Sequence, residues 1–123
     1  MSKTRNEAIA VSKVMGWEYR EYHGRQIFYD VDGNDLYLDQ IGTDTPSGNW
    51  ISKLLQVRMV EDGWFIQIDV ENRKTKKLKP NCNFTVHAGF GKDAEPYHFV
   101  VAETEPSAIV ELFCKVYGIK EEA

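Results

Sequence analysis

The residues best suited to chemistry are His87 and His98, which flank the turn expected over Gly89–Pro96. On adjacent strands they can face one another, and two imidazoles at one cleft would give a small phosphodiesterase its acid and base. The third histidine, His23, is remote in sequence. No HxH, HExxH or CxxC spacing accompanies them, and two nitrogens without a third ligand rarely hold zinc. No metal is therefore expected, and the ordinary reading of the pair is two satisfied or surface histidines.

The two cysteines, Cys82 and Cys114, are poor nucleophile candidates. Cys82 shares a strand face with Phe84 and Val86, and Cys114 follows Phe113 in an apolar helix. Buried thiols pack as small hydrophobes and are inert. No serine, cysteine or threonine comes with an evident base, so no catalytic residue is assigned and no cofactor is implied.

Anion binding has more support. "HAGFGKD" (residues 87–93) fails the phosphate-loop pattern, because Val86 stands five before Gly91 and Asp93 follows Lys92. Its glycines can still expose amides beside Lys92 as a weak nest. The start of the second helix offers amides at Gly48, Asn49 and Trp50, with Lys53 one turn in. In "EYREYHGR" (residues 18–25), Tyr22 lies between Arg20 and Arg25, a set that stacks on a base and pairs a phosphate. The candidate ligand-binding set is thus Tyr22, Arg25, Trp50, Lys53 and Lys92. Each also has an ordinary reading, as a cap, a turn or the rim of a sheet.

Charge is uneven. Arg73, Lys74, Lys76, Lys77 and Lys79 stand with one acid in residues 71–81, a net +4 in a chain of net −4, leaving −8 on the remainder. So acidic a remainder argues against duplex nucleic acid, whose affinity comes mostly from phosphate neutralisation. The run falls between two strands, where lysines also serve to deter edge-to-edge pairing. No apolar stretch approaches the roughly 18 residues that span a bilayer, and "MSKTRNEA" is not followed by the apolar region of a signal peptide. "NFT" at Asn83 matches a glycosylation triplet that has no use without secretion. "DVDGND" fails as a calcium loop: its glycine comes two positions early, and Ile41 occupies position 12.

The elements that must position these groups follow from periodicity. With 123 residues, 42% hydrophobic and 28% charged, one domain over 1–123 with a real core is expected. Asn6 to Met15 reads as a helix with Ala8, Val11, Val14 and Met15 on one face and Gly16 at its end. Asp32-Gly33 between "IFY" and "LYL" signals a hairpin. A second helix runs from about Trp50 to Asp62, capped by Ser47 or Asn49, with Ile51, Leu54, Leu55 and Met59 as its stripe. The period then becomes two in "WFIQIDV" and "CNFTVHA". "YHFVVAE" is apolar on parts of both faces and is expected at the centre of its sheet. Thr104 caps a last helix whose stripe is Ile109, Leu112, Phe113 and Val116, with Gly118 as its stop. The order is helix, hairpin, helix, three strands, helix. Short links make the three strands an antiparallel meander, giving an α+β fold with helices flanking an antiparallel sheet, α/β/α-sandwich-like.

Several words resemble the bacteriophage ABA-sandwich proteins, small phage and prophage proteins in which helices flank a sheet. They are "KVMGWEY", "FYDVDGNDLY", "MVEDGWFIQI", "YHFVVAET" and "EPSAIVELFCKVYG", which together span nearly the whole chain. "VMGW" and "AETEPSAIVEL" are the most specific. The chain departs from the family at "PSGNWISKLL", where Leu54 replaces a small residue, and in its long basic hairpin. The resemblance implies a phage-encoded protein in the host bacterial cytoplasm. It carries over no catalytic or binding residue.

The expectation is a non-catalytic phage accessory protein that sequesters a host nucleotide-type signal as an anti-defence sponge. The alternatives are a protein–protein module that inhibits or redirects a host enzyme and, third, the small phosphodiesterase. Exposed edges of a short sheet allow a homodimer.

Overall fold

A computed structural model describes residues 2–22, 25–29, 35–37, 40–70 and 84–119; side-chain environments are described for 9–18, 40–70 and 84–119. The elements are α1 (Ser2–Met15), β1 (Glu18–Tyr22), β2 (Arg25–Tyr29), β3 (Asp35–Tyr37), α2 (Pro46–Glu61), β4 (Trp64–Val70), β5 (Phe84–Phe90), β6 (Tyr97–Ala102) and α3 (Glu105–Val116). They form an α+β fold with two antiparallel three-stranded sheets, in orders β1-β2-β3 and β4-β5-β6. The hairpin pairs as expected, with Ile27 opposite Tyr37 and Tyr29 opposite Asp35, and β1 adds a third strand. Its Asp32-Gly33 turn lies outside the described residues.

Helix ends follow local chemistry. Gly16, just past α1, has φ +74°, the left-handed conformation that only glycine adopts without strain. Thr104 Oγ1 accepts the Ser107 amide at 3.4 Å at the start of α3. At its end, Ile119 N donates to Cys114 O (2.8 Å) and Gly118 N to Lys115 O (3.4 Å), the paired bonds of a glycine-terminated helix. The second helix starts earlier than its apolar stripe suggests. Pro46 opens it, since proline at the first position loses no helical hydrogen bond. The cap is Thr45, not Ser47 or Asn49: its Oγ1 accepts the Gly48 amide at 3.0 Å.

The core lies between α2, α3 and one face of the β4–β6 sheet. Ile51, Leu55 and Met59 of α2 and Ile109, Leu112 and Phe113 of α3 are fully buried against Trp64, Val86, Ala88, Val100 and Ala102. Val11 and Trp17 join the same core from the α1 end. Both helices therefore cover the same face of this sheet. Residues directly opposite in an antiparallel sheet share a face, so Phe65, Gly89 and Tyr97 form one row on the other face. Gln67, His87 and Phe99 form the next row, then Asp69, Thr85 and Val101.

β6 is an edge strand and β5 is central, the reverse of the expectation for "YHFVVAE". Its second apolar face is not buried: Tyr97 and Phe99 stay 48% and 54% exposed.

The C-terminal ends of α2 and α3 are tied by polar groups. Arg58 Nε donates to Asp62 at 2.8 Å, the Tyr117 hydroxyl donates to the same Asp62 oxygen at 2.5 Å, and Arg58 also reaches the Val14 carbonyl at 3.1 Å. The Tyr117 and then the Arg58 hydrogen bonds hold the Asp62 carboxyl below its ordinary value. Burial, then the Asp62 bond, raises the Tyr117 phenol. A depressed carboxylate contributes stability above its unfolded pKa, and that contribution is lost as pH falls through the folded value. Acid titration of the urea midpoint should therefore drop less steeply below about pH 4 in Tyr117→Phe than in the parent. The difference should be small, because the Arg58 and Asp62 side chains are more than a third exposed. Superimposable acid profiles would remove Tyr117 as the cause.

Candidate functional site

The face of the β4–β6 sheet that α2 and α3 leave bare carries Phe65, Tyr97 and Phe99, exposed by 44%, 48% and 54%. His87 stands among them on the central strand. Its ring centroid is 5.8 Å from that of Tyr97 and 6.3 Å from that of Phe99, and Tyr97 and Phe99 are 6.5 Å apart. His87 Nε2 lies 3.0 Å from Asp69 Oδ2, and its Nδ1 is hydrogen-bonded to the Tyr97 hydroxyl. In the neutral ring Nε2–H donates to the carboxylate, and Nδ1 accepts from the phenol. Gln67 donates to both Asp69 oxygens, at 3.1 and 3.3 Å. This polar line runs across all three strands and fixes the Tyr97 ring on the sheet.

Gly89 explains the position of Phe65. A Cβ at Gly89 would lie 2.5 and 2.6 Å from Phe65 ring atoms and 2.8 Å from the Ala94 Cβ. The Phe65 ring occupies the space that a side chain on the central strand would need, so it leans inward from β4 over Gly89 toward Tyr97 of the same row. Strand alternation alone placed Phe65, Gln67 and Asp69 on one side. That the outer side would be aromatic as well as polar needed Tyr97 and Phe99 in register, and register is a tertiary property.

His98 does not join this site. It is opposite Ala88, whereas His87 is opposite Phe99, so the two histidines project from opposite faces. His98 is half-buried on the helix-covered side, 5.7 Å from the Trp64 ring. The facing pair that the phosphodiesterase alternative needs is thus not formed, whereas the ordinary reading of two separate histidines holds. One residue of register decides it: 87 and 98 differ in the parity that pairing across β5–β6 imposes. Among the described residues no three His, Cys, Asp or Glu side chains gather as metal ligands. Cys114 is buried; Cys82 and Asn83 lie outside the described residues.

The five residues expected to bind a ligand do not form one described cluster. Trp50 and Lys53 are exposed on the first turns of α2. Lys92 is exposed in the β5–β6 turn, which is bonded to the other end of α2 through Gly91 N to Gly63 O at 3.1 Å. α2 continues eight residues past Lys53 to Glu61, about 12 Å of helix. Tyr22 and Arg25 are directly opposite at the end of the β1–β2 hairpin. Their side chains, and that of Arg20, lie outside what is described, as do His23 and the basic run Arg73–Lys79.

The two amide sites are also occupied from within. At α2, Gly48 N donates to Thr45 Oγ1 and Asn49 N to Thr45 O, and the Asp44 carboxylate accepts from the Asn49 side chain at 3.3 Å. That acid beside the helix start opposes a bound anion. In the β5–β6 turn, the Gly91, Ala94 and Glu95 amides donate to Gly63, Gly91 and Phe90 carbonyls.

No helix among the described residues is long and apolar enough to cross a membrane. No protein-family model, curated protein or solved structure matches this chain, so the phage ABA-sandwich family remains an expectation carried by its sequence words.

Proposed function

We propose that this chain is a non-catalytic binding module for a nucleotide-type anion, whose base stacks on the uncovered face of the β4–β6 sheet. The observation that carries the reading is the set of three exposed rings, Phe65 over Gly89 and Tyr97 and Phe99 beside His87, on a face that two helices back but do not cover. Large exposed apolar groups that cluster mark contact surfaces. Each base stacked on an aromatic ring gains about 1–3 kcal/mol. Gln67, Asp69 and Thr85 lie beside the rings and suit the donors and acceptors of a base edge. In sequence, five bases, Arg73, Lys74, Lys76, Lys77 and Lys79, fall between Val70 and Phe84. Such a protein acts by holding its ligand, which fits a sequestering role in the bacterial cytoplasm.

Calorimetric titration with AMP, GMP, CMP and UMP tests this directly. Saturable binding of at least one is expected, weakened about tenfold in Phe99→Ala and unchanged in Trp50→Ala. Failure of all four to bind, or equal affinity of Phe99→Ala and parent, would end the reading.

The protein–protein alternative draws on a different surface. Trp50, Val57 and Val60 are 49%, 46% and 57% exposed on one outward stripe of α2. If no nucleotide binds, that stripe becomes the better candidate contact.

A further inference from the structure

We propose that α2 is the contact of a homodimer, in which it packs antiparallel on α2 of a second copy of this chain. This surface is separate from the uncovered sheet face, and the proposal does not depend on the nucleotide reading. At about 3.6 residues per turn, Trp50, Lys53, Val57, Val60 and Glu61 fall within about 100° of the helix circumference. The buried residues Gly48, Ile51, Ser52, Leu55 and Met59 fall on the opposite side, toward the core. All five residues of the outer stripe are exposed, and Trp50, Val57 and Val60 are large and apolar. A single exposed apolar residue is ordinary, but three in line over about three turns mark a contact.

The occupant follows from how the stripe is divided. Its N-terminal half presents a large ring and a cation, Trp50 and Lys53. Its C-terminal half presents two small branched side chains and an anion, Val57, Val60 and Glu61. The halves complement each other in shape and in charge. A two-fold interface requires this, because each half meets the other half of the second copy. Lys53 and Glu61 are about 12 Å apart along the helix, too far to pair with each other. Neither side chain has an ion pair or hydrogen bond with a described residue. In an antiparallel pair centred at the level of residue 55, Trp50 stands opposite Val60 of the second copy, and Lys53 opposite Val57. The lysine stem lies along that valine while its ammonium reaches Glu61 of the second copy, one turn further on. The same contacts recur on the other side of the axis, and the two helix dipoles oppose each other. Because α2 backs the helix-covered face of the β4–β6 sheet, this pairing leaves Phe65, Tyr97 and Phe99 open in both copies.

Sedimentation equilibrium of the full chain from about 1 to about 300 µM tests the proposal. The apparent mass should rise from 14.2 kDa toward twice that value. One helix per copy makes an interface at the small end of the range, so the dissociation constant should be on the order of 10 µM. Trp50→Ala and Val57→Lys should each weaken self-association at least about tenfold. Both positions are exposed, so the circular dichroism melt should stay in place. Lys53→Glu or Glu61→Lys alone sets like charges against each other twice, and should weaken the dimer about three- to tenfold. The two exchanges combined should return it to within about threefold of the parent. That recovery is expected only where α2 meets a second α2 in the antiparallel sense. A parent that stays monomeric throughout would overturn the proposal and leave the stripe to a different protein. Self-association that ignores Trp50→Ala and Val57→Lys would overturn it too, as would a combined exchange that recovers nothing. None of these results bears on nucleotide binding, which calorimetry reads on the opposite side of the sheet.

Discussion

Phe113→Ala should lower the unfolding free energy by about 3–5 kcal/mol, the largest single loss expected in this chain. Its ring is the bulkiest of the fully buried side chains among the described residues. It projects from α3 into the core formed with α2 and the sheet, 4.4 Å from the Tyr117 ring by centroid. Truncation removes the ring's burial and leaves a cavity that two helices and a sheet cannot close together. It also frees Tyr117, whose hydroxyl ties α3 to Asp62 at the end of α2. Domains of this kind are stable by about 5–15 kcal/mol in all, so a substantial unfolded population follows. Urea unfolding followed by far-ultraviolet circular dichroism measures it. A loss below about 1 kcal/mol would mean that α3 is not clamped through this ring.

Gly48→Ala should also destabilise, by about 2–3 kcal/mol, against the sign that helix propensity predicts. Glycine to alanine inside an exposed helix ordinarily gains about 1 kcal/mol. Here the new Cβ would lie 1.9 Å from the Thr43 carbonyl oxygen, 2.6 Å from its Oγ1 and 2.8 Å from the Gln40 carbonyl oxygen. Two of these three are backbone atoms, which cannot swing aside as a side-chain tip would. The turn they belong to is also fixed by its own bonds. Thr43 Oγ1 donates to Gln40 O at 2.8 Å, and Thr45 Oγ1 donates to the Gln40 side chain at 2.8 Å. Relief of the collision therefore displaces the cap of α2. A thermal melt of Gly48→Ala equal to or above the parent would show that the turn does not approach the helix this closely.

The same contact shows where reading the chain stops. Gly48 looks in sequence like an amide offered to an anion at a helix start. Its buried position under the 40–43 turn depends on atoms five and eight residues away, and no local pattern reports them. His87 and His98 are a similar case. Each is visible as a residue able to do chemistry, but the face it occupies depends on which residue it pairs with across β5–β6. His87 gains Asp69 and Tyr97 as partners from two different strands; His98 gains Trp64. Lys92 was separated from Lys53 because the β5–β6 turn returns to the C-terminal end of α2, a consequence of the tight α2–β4 link at Gly63.

Short-range physics sets the helices and strands, and these were legible along the chain. The stripes Ile51-Leu55-Met59 and Ile109-Leu112-Phe113 are helical because side chains three and four apart share a helix face, and they are buried as their spacing requires. Thr104 and Gly118 bound α3, and the alternation of "WFIQIDV" makes β4, for equally local reasons. Which side of the second sheet the helices cover, and so which aromatics remain open, is set by long-range packing. β6 shows why. "YHFVVA" is apolar on both faces, which a central strand and an edge strand with one bare face satisfy equally well. The difference is the placement of two helices, which follows from the summed burial of the whole core. The exposed rings of Phe65, Tyr97 and Phe99, with His87 half-buried among them, are what that placement leaves uncovered.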